Sequence, residues 1–180
     1  MRRIRRDTMF PHRFQRAGGF TLVEILVVVV ILGIASAIII PQLGSRDDLV
    51  ASAAARTVMA DLIYAQNRAI AMQKPHYIRF NAQQCTVSDQ TSMVPITHPV
   101  TLDPYVVTFK ANDPGLENVS LDSWNFGGPN TLGFDEMGSP FSYNGTGTTA
   151  LGSSGTIAIQ SGSFKLTIFI EPFTGEITVQ

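Results

Sequence analysis

Residues 20–40 form one apolar run, Phe20-Thr-Leu-Val-Glu-Ile-Leu-Val-Val-Val-Val-Ile-Leu-Gly-Ile-Ala-Ser-Ala-Ile-Ile-Ile40, with a single charge, Glu24. As a helix rising ~1.5 Å per residue it reaches roughly 31 Å, which matches a hydrocarbon core of ~30 Å. The run predicts one membrane-spanning helix. Charge fixes its direction. Six of the thirteen basic residues (Arg2, Arg3, Arg5, Arg6, Arg13 and Arg16) precede Gly18, opposed only by Asp7, whereas Arg46, Asp47, Asp48 and Arg56 on the far side are mixed. The positive-inside rule places the start in the cytoplasm and residues 42–180 outside.

Two simpler readings compete. Basic residues, an apolar stretch and Ala35-Ser36-Ala37 also spell a secretory signal with an A-x-A cleavage site. The run, however, exceeds the ~7–15 residues of an ordinary signal core, continues through Ile38-Ile39-Ile40 and contains Glu24. A plain single-span anchor leaves Glu24 unexplained. A carboxylate costs ~2.5–3.5 kcal/mol at the centre of a spanning helix, less near its end, and is rare without a partner. Glu24 therefore calls for a cation.

Gly19-Phe20-Thr21-Leu22-Val23-Glu24 followed by an apolar helix resembles the processing site of type IV prepilins and type II secretion pseudopilins. The resemblance implies cleavage by a prepilin peptidase after Gly19, N-methylation of Phe20, and pairing of the Glu24 carboxylate with the new Phe20 amine during assembly. Gly18 and Gly19 carry no side chain and resist helix formation, which suits an extended scissile bond. The new amine at the membrane edge would be costly unpaired, and Glu24 can compensate it in the same or a neighbouring subunit.

Beyond the span, Pro41 should kink or interrupt the helix, and Gly33 is either tolerated or a site of close packing. Ala51, Ala55, Val58, Leu62, Ala65, Ala69 and Met72 recur at spacings of four and three and predict a helix with one small, apolar face packed on the protein's own sheet. Arg56, Asp61, Gln66, Asn67 and Arg68 fall mostly off that stripe, and Lys74-Pro75 ends the helix. Strands are expected at 76–80, 85–87, 105–110, 156–159, 164–170 and 176–179. Ser161-Gly162-Ser163 and Pro172-Phe-Thr-Gly175 should be the turns joining the last three. Asp113-Pro-Gly115, Gly127-Gly-Pro129 and Asn144-Gly-Thr-Gly147 mark irregular loops, so residues 111–155 leave strand number open. The expected fold is α+β: a long N-terminal helix, its first half spanning the membrane, packed on an antiparallel sheet. Its parts are a leader at 1–19, a transmembrane and polymerisation helix at 20–41, an amphipathic helix at 42–74 and a β-rich domain at 75–180.

Three later segments resemble the GspH/FimT group of minor pseudopilins and minor pilins. They are Asp61-Leu-Ile-Tyr-Ala-Gln-Asn-Arg68, Phe134-Asp-Glu-Met-Gly138-Ser-Pro140 and Ile170-Glu-Pro172-Phe-Thr174-Gly175-Glu-Ile177. The resemblance implies a minor subunit of a secretion pseudopilus or of a type IV pilus, single-pass in the bacterial inner membrane with its C-terminal domain periplasmic. The implied partners are the prepilin peptidase and N-methyltransferase, other pilins or pseudopilins, and an inner-membrane assembly platform. DNA-binding members of the group are expected to carry a basic C-terminal motif, whereas Glu171–Gln180 contains no Lys or Arg. Beyond Gly19 the chain carries a formal charge of −6, which disfavours nucleic acid further.

No catalytic site, cofactor or metal is expected. His12 lies in the leader, His76 and His98 flank prolines without metal-ligand spacing, and no nucleophile elbow or phosphate loop is present. The single cysteine, Cys85, reads as a packed strand residue. Asn118-Val-Ser120 and Asn144-Gly-Thr146 match the glycosylation sequon, a pattern common by chance.

Overall fold

A computed structural model of the chain describes residues 19–42, 46–89, 92–109, 115–116 and 118–180, with side chains in the first helix described as far as Ala37. The basic leader and the Asp113-Pro114 part of the expected loop lie outside the described residues. The chain divides into two units, Met1–Gly44 and Ser45–Gln180.

The first unit holds α1 (Leu22–Gln42), which is apolar on every face. Its large side chains from Leu22 to Ile34 are 47–80% exposed within the unit. A Cβ added at Gly33 would touch nothing within 4 Å, so no close packing uses that glycine within the unit. α1 is described one residue past Pro41, to Gln42, so the expected kink or interruption falls at the edge of the described residues. Among the described residues no helix is long and apolar enough to cross a membrane.

The second unit begins with α2 (Asp47–Met72), whose buried face is Ala51, Ala54, Ala55, Val58, Asp61, Leu62, Ala65 and Ala69. Small side chains let the helix axis approach a sheet closely. Two members of the pattern depart from expectation. Met72 is 55% exposed, because the last turn gives way to a left-handed Gln73 and the chain turns toward the first strand. Asp61 is buried rather than on the polar side: three residues after Val58 and four before Ala65, it lies on the stripe itself.

Ten strands follow among the described residues, all pairing antiparallel. They are β1 (His76–Asn81), β2 (Gln84–Ser88), β3 (Val106–Thr108), β4 (Val119–Asn125), β5 (Thr131–Phe134), β6 (Pro140–Tyr143), β7 (Thr148–Ala150), β8 (Gly155–Ser161), β9 (Phe164–Ile170) and β10 (Ile177–Val179). Instead of one sheet there are two, in orders β3-β2-β1-β5-β6-β7 and β10-β9-β8-β4. Helix α2 contacts β8, β9 and β10 of the smaller sheet and β1, β2 and β5 of the larger. The fold is α+β, with the core between helix and sheets. Phe80, Phe126, Phe134, Leu62, Ile78, Ile157 and Ile168 are fully buried there, and the Phe80 and Phe126 rings meet at 5.4 Å.

The larger sheet is apolar on its other face too. The register Tyr77↔Gly133↔Phe141 places those residues together, and Tyr77, Met93, Phe141 and Tyr143 form a second cluster. The Phe141 ring lies over Gly133, so closely that an added Cβ would overlap it. Gly133 is required for space rather than for conformation.

Candidate functional site

The residues expected to carry processing lie at the start of α1. Gly19, Phe20 and Thr21 are neither helix nor strand, and Phe20 is 78% exposed. Helix formation is delayed to Leu22 by a cap the sequence reading missed. The Thr21 hydroxyl accepts the Glu24 N–H at 3.2 Å, and the Thr21 carbonyl accepts the Ile25 N–H at 3.2 Å. Thr-x-x-Glu is the capping-box spacing, and that pattern could have revealed it. The Glu24 carboxylate is exposed and has no ion-pair partner among the described residues. The structure thus brings Gly19, Phe20 and Glu24 within two turns of one helix end, with the Gly19–Phe20 bond outside regular structure.

A second constellation joins the three later segments. Gln66 of α2 donates through Nε2 to the carbonyls of Gly138 at 3.0 Å and Gly175 at 3.2 Å, with Thr174 O at 3.5 Å. These acceptors belong to the β5–β6 and β9–β10 turns. The first is tightened by Asp135, whose carboxylate accepts the Met137 and Ser139 N–H groups at 2.9 and 2.7 Å. Ser139 Oγ then donates to Phe173 O at 3.1 Å, tying the turns together. Gly175 adopts φ +66°, and a Cβ there would lie 2.6 Å from Gly138 O. Both segments are fixed by helix α2, which none of their local patterns discloses.

A third cluster is buried. Asp61 receives the Tyr105 hydroxyl at 3.0 Å and the Cys85 thiol at 3.3 Å on its two oxygens. Burial pushes the Asp61 carboxyl above its ordinary range, against the lowering effect of the two donors. Burial, followed by the Asp61 charge, also pushes the Cys85 thiol and the Tyr105 hydroxyl well up. Cys85 is therefore held as an unreactive thiol. His98 Nδ1 accepts the Val100 and Thr101 N–H groups, and its ring meets Tyr105 at 4.3 Å. Among the described residues no group of His, Cys, Asp and Glu is placed to hold a metal ion. An open cavity of about 940 Å³ lies between the β4–β5 loop, the β6–β7 turn and the segment after β7, with Arg79 its one cationic lining residue among the described residues.

Comparison with known proteins bears on the first constellation. Residues 14–40 match the family described as the prokaryotic N-terminal methylation motif. The chain carries that N-terminal motif. The chain is also 59% identical over 34 residues to type II secretion system core protein G of Pseudomonas aeruginosa, a stretch covering 19% of the chain and 24% of that relative. Two solved structures resemble the fold. The type IV minor pilin FimU of Pseudomonas aeruginosa is 15% identical, with 74% of this chain and 88% of that one covered and a TM-score of 0.49. The minor pseudopilin EpsH from the type 2 secretion system of Vibrio cholerae is 14% identical, with 72% and 95% covered and a TM-score of 0.46.

Proposed function

We propose that the pilin-like chain is a structural, non-enzymatic subunit of a helical filament, a minor pseudopilin of a type II secretion system that assists protein export. The observation that carries this reading is α1: apolar around its circumference, exposed, and bearing one carboxylate with no ion-pair partner among the described residues, a turn after an exposed, non-helical Gly19–Phe20 bond. A helix hydrophobic on all sides is stable only inside a membrane or inside a larger protein body. Such a helix serves both: the bilayer holds it before assembly, and neighbouring helices cover it afterwards. In this reading the protein is single-pass in the inner membrane, N-terminus cytoplasmic and C-terminal unit periplasmic.

The processing chemistry belongs to a partner. A prepilin peptidase adds water across the Gly19–Phe20 bond, releasing the leader with the Gly19 carboxylate and leaving the Phe20 amine. An N-methyltransferase then replaces one amine proton with a methyl group from an electrophilic methyl donor. Thr21 prepares the site by starting the helix at Leu22 and leaving the bond in unwound backbone. Glu24 supplies the compensating charge for the amine when the subunit docks against other pilins at the assembly platform. The short stretch shared with a secretion-system protein favours the secretion pseudopilus. A minor pilin of a type IV pilus, priming assembly or adhesion, uses the same anchor. The Lys- and Arg-free C-terminus argues against DNA uptake.

Glu24→Leu tests the reading. It removes an insertion cost and should leave membrane insertion and cleavage after Gly19 intact, yet abolish co-purification with sheared filaments. Glu24→Asp should give an intermediate loss. If Glu24→Leu assembles as well as the native chain, the amine-pairing mechanism is wrong.

A further inference from the structure

The Gln66-linked turns present two apolar side chains to solvent. Phe173 is 80% exposed and Met137 is 82% exposed, with Ile70 of α2 at 42% beside Gly138, where a Cβ would lie 2.9 Å from Ile70 Cδ1. Phe173 is held at φ +71°, a conformation unfavourable for a bulky aromatic residue. The ring itself gains little packing for that strain, since it is exposed. Five hydrogen bonds fix the backbone around it: Gln66 to Thr174 O and Gly175 O, Ser139 to Phe173 O, and the turn bonds Thr174 N to Pro172 O and Gly175 N to Glu171 O. A rigid aromatic presented at low entropy cost is the form of an interface anchor.

The surroundings of the anchor are acidic. Glu136, Glu171 and Glu176 flank the two turns, and residues 131–164 and 171–180 contain no Lys or Arg. The basic residues at the end of α2 are Arg68, engaged with the Tyr64 hydroxyl at 3.0 Å, and Lys74. A second copy meeting it through the same face would set acid against acid. We propose that Phe173, Met137 and Ile70 form a docking surface for a different polypeptide, one that offers an apolar pocket rimmed by Lys or Arg. Because the surface lies on the C-terminal unit, this inference stands apart from the processing reading.

The test uses the full-length chain in the membranes of its native host. A benzophenone-bearing phenylalanine replaces Met137 as photocrosslinker, and the same probe at exposed Val100 is the control. Illumination should join position 137 to one other polypeptide, through a peptide in which apolar residues are bordered by Lys or Arg. Phe173→Gly relieves the positive φ, so the thermal midpoint of the C-terminal unit should hold or rise, while the adduct falls by about tenfold or more, as for loss of an interface anchor. The pair Glu136→Lys and Glu176→Lys should lower the adduct to a similar extent. The inference is overturned by an adduct with a second copy or with lipid alone, or by a partner peptide without basic residues. It is equally overturned by a yield no greater than at Val100, by indifference to either variant, or by a midpoint that drops in Phe173→Gly, which would make the ring a structural element.

Discussion

Asp61, Cys85 and His76 are all buried, and their neighbours decide what each can do. His76 Nδ1–H donates to Lys74 O at 3.0 Å, and Nε2 has no partner among the described residues. Burial, aided by the nearby Arg68 charge, pushes the imidazole below its ordinary 6.5. The unfolded chain then binds a proton that the folded chain refuses. Stability from neutral His76 is complete above pH 6.5 and is lost as pH falls below that value toward the lowered one. The urea midpoint should therefore fall between pH 7 and 5, and His76→Gln should flatten that slope. Asp61 has the opposite sign: its raised carboxyl favours the folded state more strongly as pH drops toward 3.8, so it cannot produce this loss. His76 was legible in the sequence only as a histidine beside Pro75. Its burial comes from the pairing of β1 with β5, which no local pattern contains.

Strands were readable where β-branched and aromatic residues cluster between turn residues. β1, β2, β3, β8, β9 and β10 fall on the six expected stretches, and the Gly162 and Pro172–Gly175 turns join the last three. β5 and β6 are buried at every position. One face meets the core and the other meets the Tyr77–Phe141–Tyr143 cluster, so period-two alternation is erased. Gly133 and Pro140 within them disguise the strands further. The split into two sheets was illegible for a related reason, since it depends on β4 pairing with the distant β8. Gly133→Val should destabilise the C-terminal unit by about 1–3 kcal/mol, because Phe141 must leave its place over the strand. Gly147→Ala, where an added Cβ meets nothing within 4 Å, should stay within about 0.5 kcal/mol. Urea denaturation of both variants checks the contrast.

For the whole molecule, the two units carry different kinds of information. The C-terminal unit closes its own core with α2, so its stripe is satisfied internally, as the small residues at positions 51, 55, 65 and 69 indicated. The N-terminal unit leaves an apolar helix uncovered, and the proposed processing falls on Gly19, Phe20 and Glu24. That half of the account was the more legible, because a spanning run, a lone acid and a glycine before an aromatic are local signals. The convergence of Gln66, Gly138 and Gly175 was not, since their sequence separations reach 109 residues. The central claim is that this chain is matured by cleavage after Gly19. Mass spectrometry of the N-terminal peptide from the membrane-extracted protein tests it most directly. The account predicts a chain beginning with N-methyl-Phe20, whereas a chain beginning at Ile38, or one retaining residues 1–19, would contradict it.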